Sequence, residues 1–133
     1  MRIMIVDDSA PMRAIIRDTV AEYDDEIFEY ENGLLAVTAY STVHPDLVLM
    51  DLLMDEMDGL TATKRIRESF PGAHIIIVTN YDGAPFRKEA SSIGVKAYVL
   101  KEQLDMLPPL MMRKKNIQKE YKNKQSEQHR AGS

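Results

Sequence analysis

Five side chains in this 133-residue sequence suit one piece of chemistry, and each stands at the end of an apolar run: Asp7 with Asp8, Asp51, Thr79 and Lys101. Three carboxylates brought to one place repel one another unless a cation lies among them. Hard oxygen ligands that leave room for water and phosphate suit Mg2+ better than a Ca2+ cage. A hydroxyl and an ammonium on the opposite flank supply what phosphoryl oxygens need, Lys101 as a point charge and Thr79 as a directional hydrogen bond. Asp51, placed between these two sets, can attack phosphorus as a nucleophile and form an acyl phosphate. Rate would then come from positioning and from electrostatic stabilisation.

This chemistry requires a fold that gathers the five residues. Ile3 to Val6, Leu47 to Met50, Ile75 to Val78 and Ala97 to Leu100 are short apolar runs of the kind that form buried strands. Ile27 to Glu31 alternates apolar and acidic residues, as a half-exposed edge strand does. Between the strands lie helical stretches. Ser9 offers an N-cap to the first, in which Met12, Ile16, Val20 and Tyr23 recur at helical spacing. Asn32 and Gly33 open a second that runs through about Ser41, with Leu34, Val37 and Tyr40 inward and Pro45 beyond its end. A third spans about Gly59 to Phe70 and stops at Pro71 and Gly72. The fourth covers Pro85 to Ile93, with Gly94 as its cap.

Strands and helices thus alternate five times, which predicts an α/β, doubly wound sheet of five parallel strands with helices on both faces. In the flavodoxin-like strand order 2-1-3-4-5, strands one and three are neighbours at the switch point, where such folds bind ligands. Asp7, Asp8 and Asp51 then converge. A fifth helix is expected from about Pro108 through Leu110, Met111, Ile117 and Tyr121. One domain over residues 1–124 and a disordered tail over 125–133 complete the expected organisation.

Composition narrows the function. The net charge of −4 divides unevenly: from Arg113 onward seven basic residues face two acids, a balance of +5, which leaves −9 for residues 1–112. An acidic body argues against nucleic acid as the main partner, and a basic tail is usually a solvated helix face. The absence of cysteine removes disulfides and thiolate chemistry. His44, His74 and His129 are too scattered for a ligand set. No apolar run approaches the roughly 20 residues of a membrane span, and MRIMIVDD lacks the regions of a signal peptide, so a cytoplasmic location is expected.

The motifs IVDDS, LVLMDLLMDEMDGL, IIIVTN and AYVLKE, in that order and at those intervals, resemble the response-regulator receiver domain of two-component signalling, of the chemotaxis-regulator kind. The resemblance covers about residues 1–124. It implies that Asp51 accepts a phosphoryl group from the phosphohistidine of a sensor histidine kinase or phosphotransfer protein. It also implies that Asp8 ligates Mg2+ directly and Asp7 mostly through water, with the Leu53 carbonyl as a further oxygen. Thr79 and Lys101 would hold the phosphoryl oxygens. Tyr98 corresponds to the family's switch aromatic, turning inward as Thr79 moves toward the phosphate. That motion would reshape the face of the fourth helix, fifth strand and fifth helix for a downstream protein partner or self-dimerisation. The implied protein is no enzyme toward external substrates; it catalyses only its own phosphorylation and slow dephosphorylation.

Several positions depart from the family pattern. Asp55 replaces a common proline, Glu56 adds another acid, and Asn80 stands where a smaller residue is usual. Glu102 follows the lysine in place of proline, so that peptide bond has less reason to be cis. Leu53 and Tyr81, two residues beyond Asp51 and Thr79, carry no acid or amide to orient a hydrolytic water. Slow self-dephosphorylation follows.

Rival functions fit less well. An aspartyl-phosphate phosphatase places a second Asp two residues after its nucleophile, where this chain has Leu53. A flavin module needs a phosphate-cradling loop where this chain has Asp7 and Asp8. The receiver part of a truncated DNA-binding transcription regulator, or a pseudo-receiver that only binds partners, remains an alternative, although residues after Arg113 are too few for a helix-turn-helix module. That segment reads equally as a linker helix, a dimerisation segment or a partner-binding handle.

Overall fold

Strands buried on both faces must be covered on both faces, and two of the strands here are buried at every residue. In the computed structural model, which describes residues 1–22 and 25–111, five parallel strands form one sheet: β1 Arg2–Val6, β2 Glu26–Tyr30, β3 Leu47–Met50, β4 Ile75–Thr79 and β5 Ala97–Leu100. β3 and β4 are buried throughout. The spatial order is β2-β1-β3-β4-β5, the expected flavodoxin-like order. Four α-helices connect them: α1 Ala10–Val20, α2 Gly33–Val43, α3 Gly59–Ser69 and α4 Ala84–Ser92. A 3-10 turn over Lys101–Met106 follows, and residues 107–111 are helical.

Period-two alternation sorts the core into two layers. Ile3, Ile5, Leu47, Leu49, Ile76 and Val78 face α1 and the helical residues 107–111, packing with Ile16, Val20, Leu107 and Met111. Met4, Val6, Val48, Met50, Ile75 and Ile77 face α2, α3 and α4, packing with Tyr40, Leu60, Ile66 and Ala90. The helix starts are fixed locally. The side chains of Ser9, Asn32 and Asp58 accept bonds from the backbone N–H of Met12, Leu35 and Thr61.

Three details differ from the sequence pattern. Leu34 is exposed rather than inward, and the covered side of α2 consists of Gly33, Ala36, Tyr40 and Val43. This helix is apolar nearly all round, so periodicity alone selects no face. The 3-10 turn was not expected; it intervenes before the last helical stretch, which starts at 107 and takes Pro108 in its first turn. The edge strand β2 is set one residue earlier than its alternation suggests. Tyr23, the helix beyond 111 and the tail over 125–133 lie outside the described residues.

Candidate functional site

The sheet register delivers the acids. Val6 pairs with Met50 across β1 and β3, so the next residues, Asp7 and Asp51, leave the sheet side by side. Asp51 N–H donates to the Val6 carbonyl at 2.9 Å, and Asp7 N–H to the Tyr30 carbonyl at 3.1 Å, which fixes both at the rim. One carboxylate oxygen from each of Asp7, Asp8 and Asp51 lies within 4.8 Å of the other two. Asp7 is fully buried, Asp51 nearly so, and Asp8 is exposed to solvent.

Lys101 reaches across the end of β4 to these acids. Its Nζ lies 2.8 Å from Asp7 Oδ2 and 3.2 Å from Asp51 Oδ2. Only the bond to Asp51 has hydrogen-bond geometry; the buried Asp7 Oδ2 has an ionic neighbour but no hydrogen-bond partner. Burial pushes the Asp51 carboxyl above its ordinary range and the Asp7 charge pushes it further, while Lys101 and the Leu52 N–H oppose both. For Lys101 burial alone would favour loss of the proton, but the two carboxylates outweigh it and hold the ammonium above its usual pKa. Three clustered carboxylates with one ammonium among them keep an excess of negative charge, and that donor set fits a hard divalent cation. Asp7, Asp8 and Asp51 are the residues that can hold one.

The loop after Asp51 is pressed tightly against the strand. Leu52 N–H donates to Asp51 Oδ1 at 2.8 Å and Gly59 N–H to the Leu52 carbonyl at 2.8 Å. A Cβ on Gly59 would stand 1.8 Å from the Asp51 carbonyl oxygen, so no side chain fits there. Glu56 adopts a left-handed backbone, φ 66°. With Asp8, Glu31, Asn32 and Asp55 it lines a cleft of about 250 Å3 beside the carboxylates, where Asp55 and Glu56 add negative charge. Glu31 was not singled out in the sequence; it reaches this cleft because β2 ends next to β1.

Thr79 is fully buried, and its Oγ1 accepts from Tyr81 N–H at 3.3 Å. Tyr98 donates its hydroxyl to the Tyr81 carbonyl at 2.5 Å. The Arg87 guanidinium lies 4.5 Å above the Tyr98 ring and is itself held by Asp82 at 2.7 Å. Burial raises the Tyr98 phenol pKa, against Arg87 and together with the charges of Asp82 and Asp51. Tyr98 thus ties β5 to the loop that follows Thr79. Leu53 and Tyr81 are both exposed near the site, and Asn80 is exposed as well. Every peptide bond described is trans, that of Lys101 and Glu102 included.

A parallel sheet with this strand order, three rim acids and a lysine reaching them from the last strand defines a class. The chain belongs to the response regulator receiver domain family, whose model matches residues 3–107. It is 39% identical over 100 residues to the chemotaxis protein CheY of Halobacterium salinarum, covering 75% of this chain and 83% of that protein. It is 40% identical over 104 residues to the uncharacterized transcriptional regulatory protein YhcZ of Bacillus subtilis, but spans only 49% of it, against 77% of this chain. Among solved structures, the response regulator domain of Thermotoga maritima CheB superposes with a TM-score of 0.74 at 27% identity, covering 86% of this chain and 92% of that one. No helix among the described residues is long and apolar enough to cross a membrane.

Proposed function

We propose that this protein is a phosphorylation-activated signalling switch in which Asp51 is the phosphoacceptor. The observation that carries this reading is the single rim where Asp51 stands between a carboxylate cluster and the Lys101 ammonium. An Asp51 carboxylate oxygen attacks the phosphorus of a phosphohistidine on a sensor histidine kinase or phosphotransfer protein. The P–N bond breaks as the P–O bond forms, and the imidazole leaves as the neutral ring after taking a proton. Asp7, Asp8 and Asp51, with the Leu53 carbonyl, would hold Mg2+, which when bound supplies positive charge against the phosphoryl oxygens. Lys101 exchanges its carboxylate partners for the phosphoryl group, and the Thr79 hydroxyl donates to it.

Withdrawal of Thr79 Oγ1 from Tyr81 N–H toward the phosphoryl group shifts the loop whose Tyr81 carbonyl holds the Tyr98 hydroxyl. The face of α4, β5 and the helix from 107 is therefore the output surface, for a downstream protein partner or a second copy. The protein works in the cytoplasm, does not itself bind nucleic acid, and turns over no external phosphate ester. A second reading, the receiver part of a longer DNA-binding regulator, is favoured by the match to about half of a transcriptional regulatory protein.

Incubation with Mg2+ and acetyl phosphate, followed by intact mass, tests the phosphoacceptor. One added phosphoryl group, absent in Asp51→Asn, is expected. An unchanged mass under all conditions would leave a pseudo-receiver. Sedimentation with beryllofluoride separates self-dimerisation from partner binding as the output.

A further inference from the structure

The Asp7–Asp8 peptide carries two of the three acids, and its orientation decides whether Asp8 faces the other two. Asp8 is exposed and follows the last paired residue of β1 by two positions, so the sheet alone does not fix it. The Asp7 backbone is instead fastened from two sides. Its N–H donates to the Tyr30 carbonyl at 3.1 Å, and its carbonyl accepts from Arg13 Nη1 at 2.6 Å, a short charge-assisted bond. Arg13 is in turn aimed from the edge strand: its Nε donates to Glu29 Oε1 at 3.2 Å, while Glu29 Oε2 takes Arg17 Nη2 at 2.8 Å. The Arg13 side chain is only 17% exposed, so water competes poorly for these bonds.

We infer that Arg13 and Glu29 are positioning residues for the divalent-cation site, holding the Asp7–Asp8 peptide so that Asp8 stays within reach of Asp7 and Asp51. The inference rests on the cation site proposed above. Charge alone makes the opposite prediction. A guanidinium bonded next to three carboxylates repels a divalent cation, so its removal should tighten binding. Orientation says that its removal loosens binding, because Asp8 is then free to swing into solvent. Glu29 both aims the guanidinium and offsets its charge. Lysine at position 13 keeps the charge but loses the planar fork that bonds Asp7 and Glu29 together.

The test is Mg2+ affinity, measured by competition against Mn2+ followed by electron paramagnetic resonance, with thermal melts in the absence of metal. Arg13→Gln, Arg13→Lys and Glu29→Gln should each weaken Mg2+ about ten-fold or more, the usual scale for residues that orient metal ligands. Their metal-free melting temperatures should stay near that of the wild type, and Asp8→Asn should weaken Mg2+ at least as much. If Arg13→Gln does not remain folded, Arg13→Lys, which keeps the charge and loses only the fork, decides the matter. Unchanged or tighter Mg2+ binding in the variants, beside normal wild-type binding, overturns the positioning role alone. A wild-type protein that binds no Mg2+ overturns the cation site and the positioning role with it.

Discussion

At the scale of single residues, the site is built from a conflict that Lys101 only partly resolves. Burial and the Asp7 charge raise the Asp51 pKa above its ordinary value of 3.8. A carboxyl whose folded pKa is raised binds more protons in the folded than in the unfolded state, so it removes stability as pH rises through that window. Asp51→Asn is therefore expected to be more stable than the wild type toward urea at neutral pH. The gain should vanish below the ordinary carboxyl pKa, where both states hold the proton. A stability difference that does not change with pH would count against this account. Leu53 and Tyr81 set a second expectation. Neither carries an acid or amide to orient water, both are exposed beside the site, and spontaneous loss of phosphate from Asp51 should be slow. Leu53→Ala and Tyr81→Ala should quicken it by opening the approach; rapid loss in the wild type, unaltered in both variants, would refute the shielding role.

At the scale of elements, the loop between β3 and α3 carries both a strained residue and an obligatory glycine. Glu56 holds a backbone that favours glycine, φ 66°. Glu56→Gly should stabilise the protein by about 0.5–1 kcal/mol in denaturant melts, because the residue no longer resists its conformation. Gly59→Ala should do the reverse. Its methyl group would meet the Asp51 backbone, and displacement of α3 should cost about 3 kcal/mol or more in the same melts.

Legibility in the sequence follows the same elements. Runs such as LVLM and IIIV are too short for helices and too apolar for surface, so β3, β4 and the rim position of Asp51 could be read directly. Alternation of strands with helices then led to a parallel sheet, while its order was that of the flavodoxin-like fold and not of the pattern itself. Contacts made by long side chains between elements distant in sequence could not be read. Arg13 looks like any polar residue on α1, yet it bonds the Asp7 carbonyl and an acid on β2. Arg87 over Tyr98 is a similar case. The inward side of α2 was misjudged at Leu34 because apolar residues occur on every side of that helix.

At the scale of the whole molecule, a cation that binds only the folded protein must stabilise all of it. Mg2+ at about 100 times its dissociation constant should add about 2.7 kcal/mol to unfolding. Asp8→Asn should abolish that increment in the same titration. Magnesium without effect on wild-type unfolding would exclude a preformed cation site.

The Lys101 bridge also bears on how the chain is made. A ribosome releases Asp7 and Asp8, the two acids that follow β1, first, then Asp51, and the ammonium that offsets them emerges fifty residues after Asp51. Arg13 is available early, but it is engaged by a backbone carbonyl and by Glu29. A nascent chain that has formed β1 and β3 therefore carries an uncompensated negative pocket until β5 docks. During that interval the acids must either take a counter-charge from the surrounding solution or hold protons.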